Sequence, residues 1–267
     1  MDNPYLDLTA AFNRGRLRVL LSSGQAVVAH RLAVMSKDGD WIIREDDEAT
    51  GHVLHVLAGR GAHYRFGAPL DPRWLAGGWS SHFEYRADGL RIRTDFVSRP
   101  ARISASHLAQ MWADAERTGD PVVALEPLAA IKLTDREKDY AVVGELARQM
   151  PDPAAQLLWS RSSRDLIDLA ARHPDVLARV REQRPLLARV AEDRDVLDEL
   201  LDHERRAFMR TNERRLARYR SASQAWAANW PSVSREIDDA PLVAAHAIVT
   251  ARAAGVLPFA LPAEGAA

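Results

Sequence analysis

The chain has 267 residues, 36 Lys plus Arg against 37 Asp plus Glu, a formal net charge of −1 and 47% hydrophobic residues. That balance reads as one large globular domain or two ordinary ones, and it argues against a surface built throughout for nucleic acid. With no cysteine, disulfides, thiolate catalysis and cysteine-ligated zinc are excluded. No apolar run approaches membrane-spanning length and the opening Met1-Asp2-Asn3-Pro4 lacks signal-peptide character, so the expectation is no membrane and a cytoplasmic location.

The pattern predicts a short helix over Tyr5 to Phe12 and a strand over Arg16 to Leu21. Ser22-Ser23-Gly24 closes that strand and opens a helix from Gln25 to Leu32, capped by Ser22 or Ser23. The next strand carries Asp38, Asp40 and Ile42 on one face, with Trp41 and Ile43 on the other. A helix over Glu48 to Leu57 follows, then a loop-rich stretch with Gly67, Pro69, Pro72 and Gly77-Gly78. Ser81 to Arg86 and Leu90 to Val97 alternate as two strands around Ala87-Asp88-Gly89, a hairpin signal. In the second of these, Leu90, Ile92, Thr94 and Phe96 share a face and Arg91, Arg93 and Asp95 share the other.

From about Ser104 the chain reads as helix, with breaks near Gly119-Asp120-Pro121, Pro151-Asp152-Pro153, His173-Pro174 and Trp230-Pro231. Thr134-Asp135-Arg136-Glu137 has the form of a capping box. A domain boundary is expected near Met150, dividing residues 1–150 from a helical region over 151–267, and the tail from Leu261 to Ala267 is expected to fray.

Among 36 basic residues only Lys37, Lys132 and Lys138 are lysines, and all three lie beside aspartates. Asp38 and Asp40, two apart on a strand, point the same way and suit one hard cation, and Asp95 faces the same cleft if its strand is a neighbour. His52, His55 and His63 have no accompanying carboxylate motif and read as ordinary polar or packing groups. No Gly-x-Ser-x-Gly elbow, Walker lysine loop or dinucleotide glycine fingerprint is present. The stretch His203 to Arg220 holds seven arginines, with Tyr219 and Trp226 placed for base stacking if it is an RNA-binding helix. The alternative is a solvated face paired with Glu204 and Glu213.

The order of Ser23-Gly24, Asp38 with Asp40, and then Asp95 resembles the polymerase-beta-like nucleotidyltransferase superfamily, especially its small bacterial and AbiEii-type toxin-like members. Lys132 and Lys138-Asp139 match a helical lysine followed by a basic residue and aspartate in many of those proteins. The resemblance implies an α+β fold, a mixed sheet with flanking helices and then a helical C-terminal region. It implies transfer of a nucleoside monophosphate from an NTP to a hydroxyl of RNA, a protein or a small molecule. By the same resemblance, Asp38, Asp40 and Asp95 hold Mg²⁺ or Mn²⁺, Ser23, Gly24 and Lys37 contact the nucleotide, Lys132 is a phosphate ligand oriented by Asp139, and a protein partner such as an antitoxin is expected. Gly39 stands where the family has an apolar residue and is expected to weaken the strand and loosen its ligands. Together with the Ser-Ser-Gly turn, it favours the alternative of a catalytically silent nucleotidyltransferase-fold binding or regulatory module.

Overall fold

The computed structural model describes residues 3–261, so the fraying expected of the tail falls, beyond Leu261, outside the described residues. Two compact units emerge: one formed by residues 1–29, 33–123 and 217–267, the other by residues 30–32 and 124–216. Position 150 lies inside the second unit, and the chain returns to the first at residue 217. Among the described residues no helix is long and apolar enough to cross a membrane.

The first unit contains α1 (Pro4–Phe12), β1 (Val19–Ser22), α2 (Ser23–Ala29), β2 (Asp38–Ile43), α3 (Asp47–Ala58), β3 (His63–Tyr64), α4 (Pro72–Leu75), β4 (Ser81–Ala87), β5 (Leu90–Val97) and α5 (Ala105–Thr118). The second contains α6 (Leu125–Ile131), α7 (Glu137–Gln149), α8 (Pro153–Trp159), α9 (Ser163–Arg172), α10 (Pro174–Val180) and most of α11 (Arg194–Ala222). Helices α12 (Gln224–Ile237) and α13 (Leu242–Ala254) belong to the first unit again. The chain is therefore α+β, with a mixed sheet, flanking helices and a helical C-terminal region, as its sequence pattern implied.

The sheet has the order β1-β2-β5-β4-β3, in which β2 and β5 are parallel and every other pair is antiparallel. Asp88 (φ 50°) and Gly89 (φ 77°) form the two-residue turn between β4 and β5, the positive-φ pair that a tight right-twisted hairpin requires. Burial alternates along both strands, so Phe83, Tyr85, Ile92 and Phe96 face the core while His82, Glu84, Arg93 and Asp95 share the opposite face. At the outer edge Leu21 bridges to Val122 in parallel, which pairs part of the free edge of β1.

Helix α1 begins with an Asn3 cap and Pro4, and lays Tyr5, Leu8 and Phe12 on the apolar face of the sheet. There Trp41 stacks on Phe96 at 5.4 Å, meets Phe12 edge-on at 5.3 Å and donates from its indole to Thr9 at 2.9 Å. Helices α12 and α13 add Trp226, Val233, Ile237, Leu242 and Val249 to this core. Trp226 donates to the Gly67 carbonyl at 2.8 Å, and Trp79 donates to that of Pro258 at the same distance. An amphipathic helix records which face it buries but not which element it buries that face against, so this return is absent from the hydrophobic period.

Three local expectations change. Pro231 lies inside α12 rather than ending it, with Trp226 and Trp230 on the preceding turn in edge-on contact at 5.6 Å. Helix α7 begins at Glu137 with Arg136 as its cap residue and no side-chain cap bond; Thr134 lies before that cap position, its hydroxyl accepting from the Arg136 N–H at 3.1 Å and donating to Asp139 at 2.6 Å. Strand β3, two residues long, lies within the stretch expected to be loop.

Candidate active site

Parallel pairing of β2 with β5 sets Asp38 opposite Arg93, Gly39 opposite Thr94 and Asp40 opposite Asp95. Across the other edge of β2, Ser22 is the partner of Asp40, and across β5, His82 is the partner of Asp95. One row thus crosses four strands: Ser22, Asp40, Asp95, His82. All four half-buried or buried side chains occupy the polar face, and Ser23-Gly24 continues directly from the Ser22 end as the first turn of α2. Ser23 sits at φ 47°, where the chain turns sharply from strand into helix.

The segment before β2 is fixed from three directions. Gln25, buried on α2, donates to the Ser36 carbonyl at 2.9 Å, and Tyr5 donates to the Lys37 carbonyl at 2.8 Å. Burial raises the Tyr5 hydroxyl above its ordinary pKa and keeps it a donor. The third tie is steric: a Cβ on Gly24 would fall against Ser36. Gly39 has a similar explanation, since a Cβ there would enter the rings of Trp41 and Tyr5. The residue expected to loosen β2 is instead the place where two aromatic rings lie flush on its backbone. Lys37 itself is exposed.

The carboxylates have cationic neighbours. Asp38 lies 3.5 Å from Arg93 Nη1, and Asp95 Oδ1 lies 3.3 Å from Arg65 Nη1 and 2.8 Å from His82 Nδ1. That histidine contact is close but lacks hydrogen-bond direction, whereas His82 Nε2 meets Ser80 Oγ at 2.8 Å in good geometry. Glu84 lies among these groups, with Arg91 at 2.6 Å, the His63 ring at 3.3 Å and Arg65 at 3.6 Å. Burial alone would raise the Glu84 pKa, but Arg91 and His63 outweigh it and hold the carboxyl below its ordinary value.

Three aspartates in adjoining registers are the donor chemistry of a hard, oxygen-preferring cation. As the side chains stand, Arg93 and Arg65 engage two of the carboxylates, and among the described residues no three His, Cys, Asp or Glu side chains cluster to hold a metal ion. His52 instead meets the Ala11 carbonyl at 3.1 Å and His63 meets Glu84, the ordinary polar roles expected of them.

Lys132 and Asp139 belong to the second unit and come together there. The ammonium lies 3.7 Å from Asp139, and both side chains are over 90% buried. Asp139 also receives Arg136 Nε at 2.9 Å and the Thr134 hydroxyl. Lys138 is exposed.

The arginine-rich stretch lies on α11, and one of the two glutamates expected to pair with it turns elsewhere. Glu204 binds Arg184 and Arg161 rather than arginines of its own helix, and Arg205 pairs with Asp202 and Glu137. Tyr219 packs edge-on against Trp79 at 5.1 Å and Trp226 is fully buried, so neither ring lies open for stacking on a base.

Sequence reasoning missed Arg65, Ser80 and His82. The signal for His82 was present: counting back from the Asp88-Gly89 turn sets it opposite Asp95. Arg65 follows a strand too short to read.

No family model matches the chain, and no curated protein matches it. Among solved structures it is similar to the crystal structure of a "putative nucleotidyltransferase" from H. pylori, with 12% identity and a TM-score of 0.37 over 79% of this chain and 96% of that one. A likeness of that size fixes neither fold nor function.

Proposed function

We propose that the polar face of the sheet is a nucleotidyl-transfer site, moving a nucleoside monophosphate from an NTP to a hydroxyl acceptor with release of pyrophosphate. The observation that carries this reading is the register: Asp38 and Asp40 on β2, Asp95 directly opposite Asp40 on the parallel neighbour β5, and the Ser23-Gly24 turn beside Ser22, the other partner of Asp40. This is the spatial form of the motif order that resembles the polymerase-beta-like superfamily.

Asp38, Asp40 and Asp95 would hold Mg²⁺ or Mn²⁺, which supplies charge neutralisation for the triphosphate and lowers the pKa of an acceptor hydroxyl. Ser23 offers a hydroxyl, and the backbone N–H groups at the turn offer donors to the phosphates. Asp95 takes the proton from the acceptor hydroxyl as its oxygen attacks the α-phosphorus and the bond to pyrophosphate breaks. Arg65 and Arg93, on the same face, supply positive charge where negative charge gathers on the phosphates.

The engagement of Asp38 and Asp95 by arginine favours a second reading, a silent module of the same fold that binds a partner rather than turning over. Calorimetric titration with ATP, CTP, GTP and UTP in Mg²⁺ or Mn²⁺ separates the two. The transfer reading expects metal-dependent binding of a nucleotide that is lost in a folded Asp38→Ala/Asp40→Ala variant. A folded wild-type protein that binds none of the four overturns it and leaves the silent module.

A further inference from the structure

The second unit contains a buried charge that its own residues leave unbalanced. Glu204, on α11, accepts from Arg184 Nε at 3.0 Å and Nη2 at 2.8 Å, and also from Arg161 Nη1. Arg184 is fully employed, since its Nη1 donates to the Leu157 carbonyl at 2.8 Å. Arg161 is not: its Nε is buried without a hydrogen-bond partner among the described residues, and its guanidinium rests 5.7 Å from the Phe208 ring. Two guanidinium groups therefore share one carboxylate, with the arginine side chains 5% and 11% exposed. A buried ion is costly unless paired, so an arginine with a buried donor left idle and only a shared counter-charge adds little stability of its own.

Arg161 lines a cavity of about 430 Å³. Tyr140, Ser162, Arg148 and Arg205 stand around it. Around the rim the carboxylates are met by arginines: Arg148 holds both Glu145 and Asp165, Arg205 and Arg206 hold Asp202, and Arg205 also reaches Glu137. Asp198, also on the lining, faces Arg194 at 3.7 Å. The lining carboxylates thus have arginines of their own, and the guanidinium pair that shares one carboxylate lies at the Arg161 end. Burial and the neighbouring Arg184 lower the Arg161 pKa to about 10, which leaves it charged at neutral pH and shows how poorly its charge is compensated.

We infer that this cavity is an oxyanion site in which Arg161 receives a phosphate group, free or carried on a small organic molecule. The guanidinium fork matches two phosphate oxygens, the charge gives Arg161 a counter-ion beyond the one carboxylate it shares with Arg184, and the volume exceeds what a bare phosphate needs. The site lies wholly within the second unit and is independent of the nucleotidyl-transfer reading.

The test is thermal unfolding of the full chain with inorganic phosphate and with adenosine monophosphate, against chloride at equal ionic strength, in wild type, Arg161→Met and Asp38→Ala/Asp40→Ala proteins. At a hundredfold excess over Kd, bound anion raises the wild-type Tm by about 5 °C. The aspartate variant responds like wild type. Arg161→Met is at least as stable as wild type without anion, because Glu204 keeps both bonds to Arg184, and it no longer responds. A response to adenosine monophosphate alone identifies a phosphate carried on an organic body, and an equal response to both identifies the free group. No wild-type response, or an equal response in Arg161→Met, overturns the site. Should Arg161→Met fail to fold, phenylglyoxal modification of the wild type decides: phosphate protects Arg161, read by peptide mass, or the proposal fails.

Discussion

At the scale of single residues, the strand that carries the aspartate pair depends on a missing methyl group. Gly39 between Asp38 and Asp40 reads from sequence as a weakness, because glycine adds backbone freedom and no packing. The sequence does not show that the rings of Trp41, two residues on, and of Tyr5 both occupy the place where a Gly39 Cβ would stand. Gly39→Ala therefore forces two buried rings to move and is expected to cost about 1–3 kcal/mol. Gly24→Ala meets only Ser36, whose hydroxyl can rotate away and whose Cβ, at 2.9 Å, must give by a few tenths of an ångström, and should cost less than moving two rings. Urea midpoints of the two variants check the ranking. A Gly39→Ala protein as stable as wild type would return Gly39 to the role of a loose joint.

At the scale of elements, the hairpin was legible and its consequence went unread. A two-residue turn fixes register, so Asp88-Gly89 determines that His82 faces Asp95 and Glu84 faces Arg93 before any tertiary contact is known. Strand β3 and its dock were not legible: two residues have no period, and what holds them is distant in sequence. The Leu70 N–H donates to the Tyr64 hydroxyl at 3.1 Å, and that hydroxyl meets His246 Nδ1 on α13 at 2.7 Å. A hydroxyl that accepts from Leu70 is placed to donate to a neutral imidazole, and burial lowers the His246 pKa, against a smaller opposing pull from Asp71. A histidine whose folded pKa lies below its unfolded value contributes stability that is complete above the unfolded value, about 6.5, and lost as pH falls toward the folded one. The first unit should thus lose stability as pH drops below about 6.5. His246→Gln should remove that share of the slope in urea midpoints measured between neutral and mildly acid pH. An unchanged slope would mean that the ring does not titrate on unfolding.

At the scale of the whole molecule, sequence reasoning divided the chain where its composition changes, near Met150, whereas the fold divides it by which apolar faces meet. The front half announces itself through turns, alternation and the carboxylate spacing, and those features are all local. The return of α12 and α13 to the first unit is a statement about partners, and nothing in the period of a helix names its partner. Trp226 tests it most directly, since its indole is fully buried, donates to Gly67 and sits in one core with Trp41, Phe83 and Phe96. Trp226→Ala should cost about 3–5 kcal/mol, while Arg214→Ala, on the exposed side of α11, should stay within about 0.5 kcal/mol of wild type. The loss at Trp226 should also weaken any ligand of the Asp38-Asp40-Asp95 face near the new midpoint, because residue 226 and those aspartates belong to one compact unit. If Trp226→Ala leaves the urea midpoint in place, the C-terminal helices are an appendage rather than part of the core that positions the site.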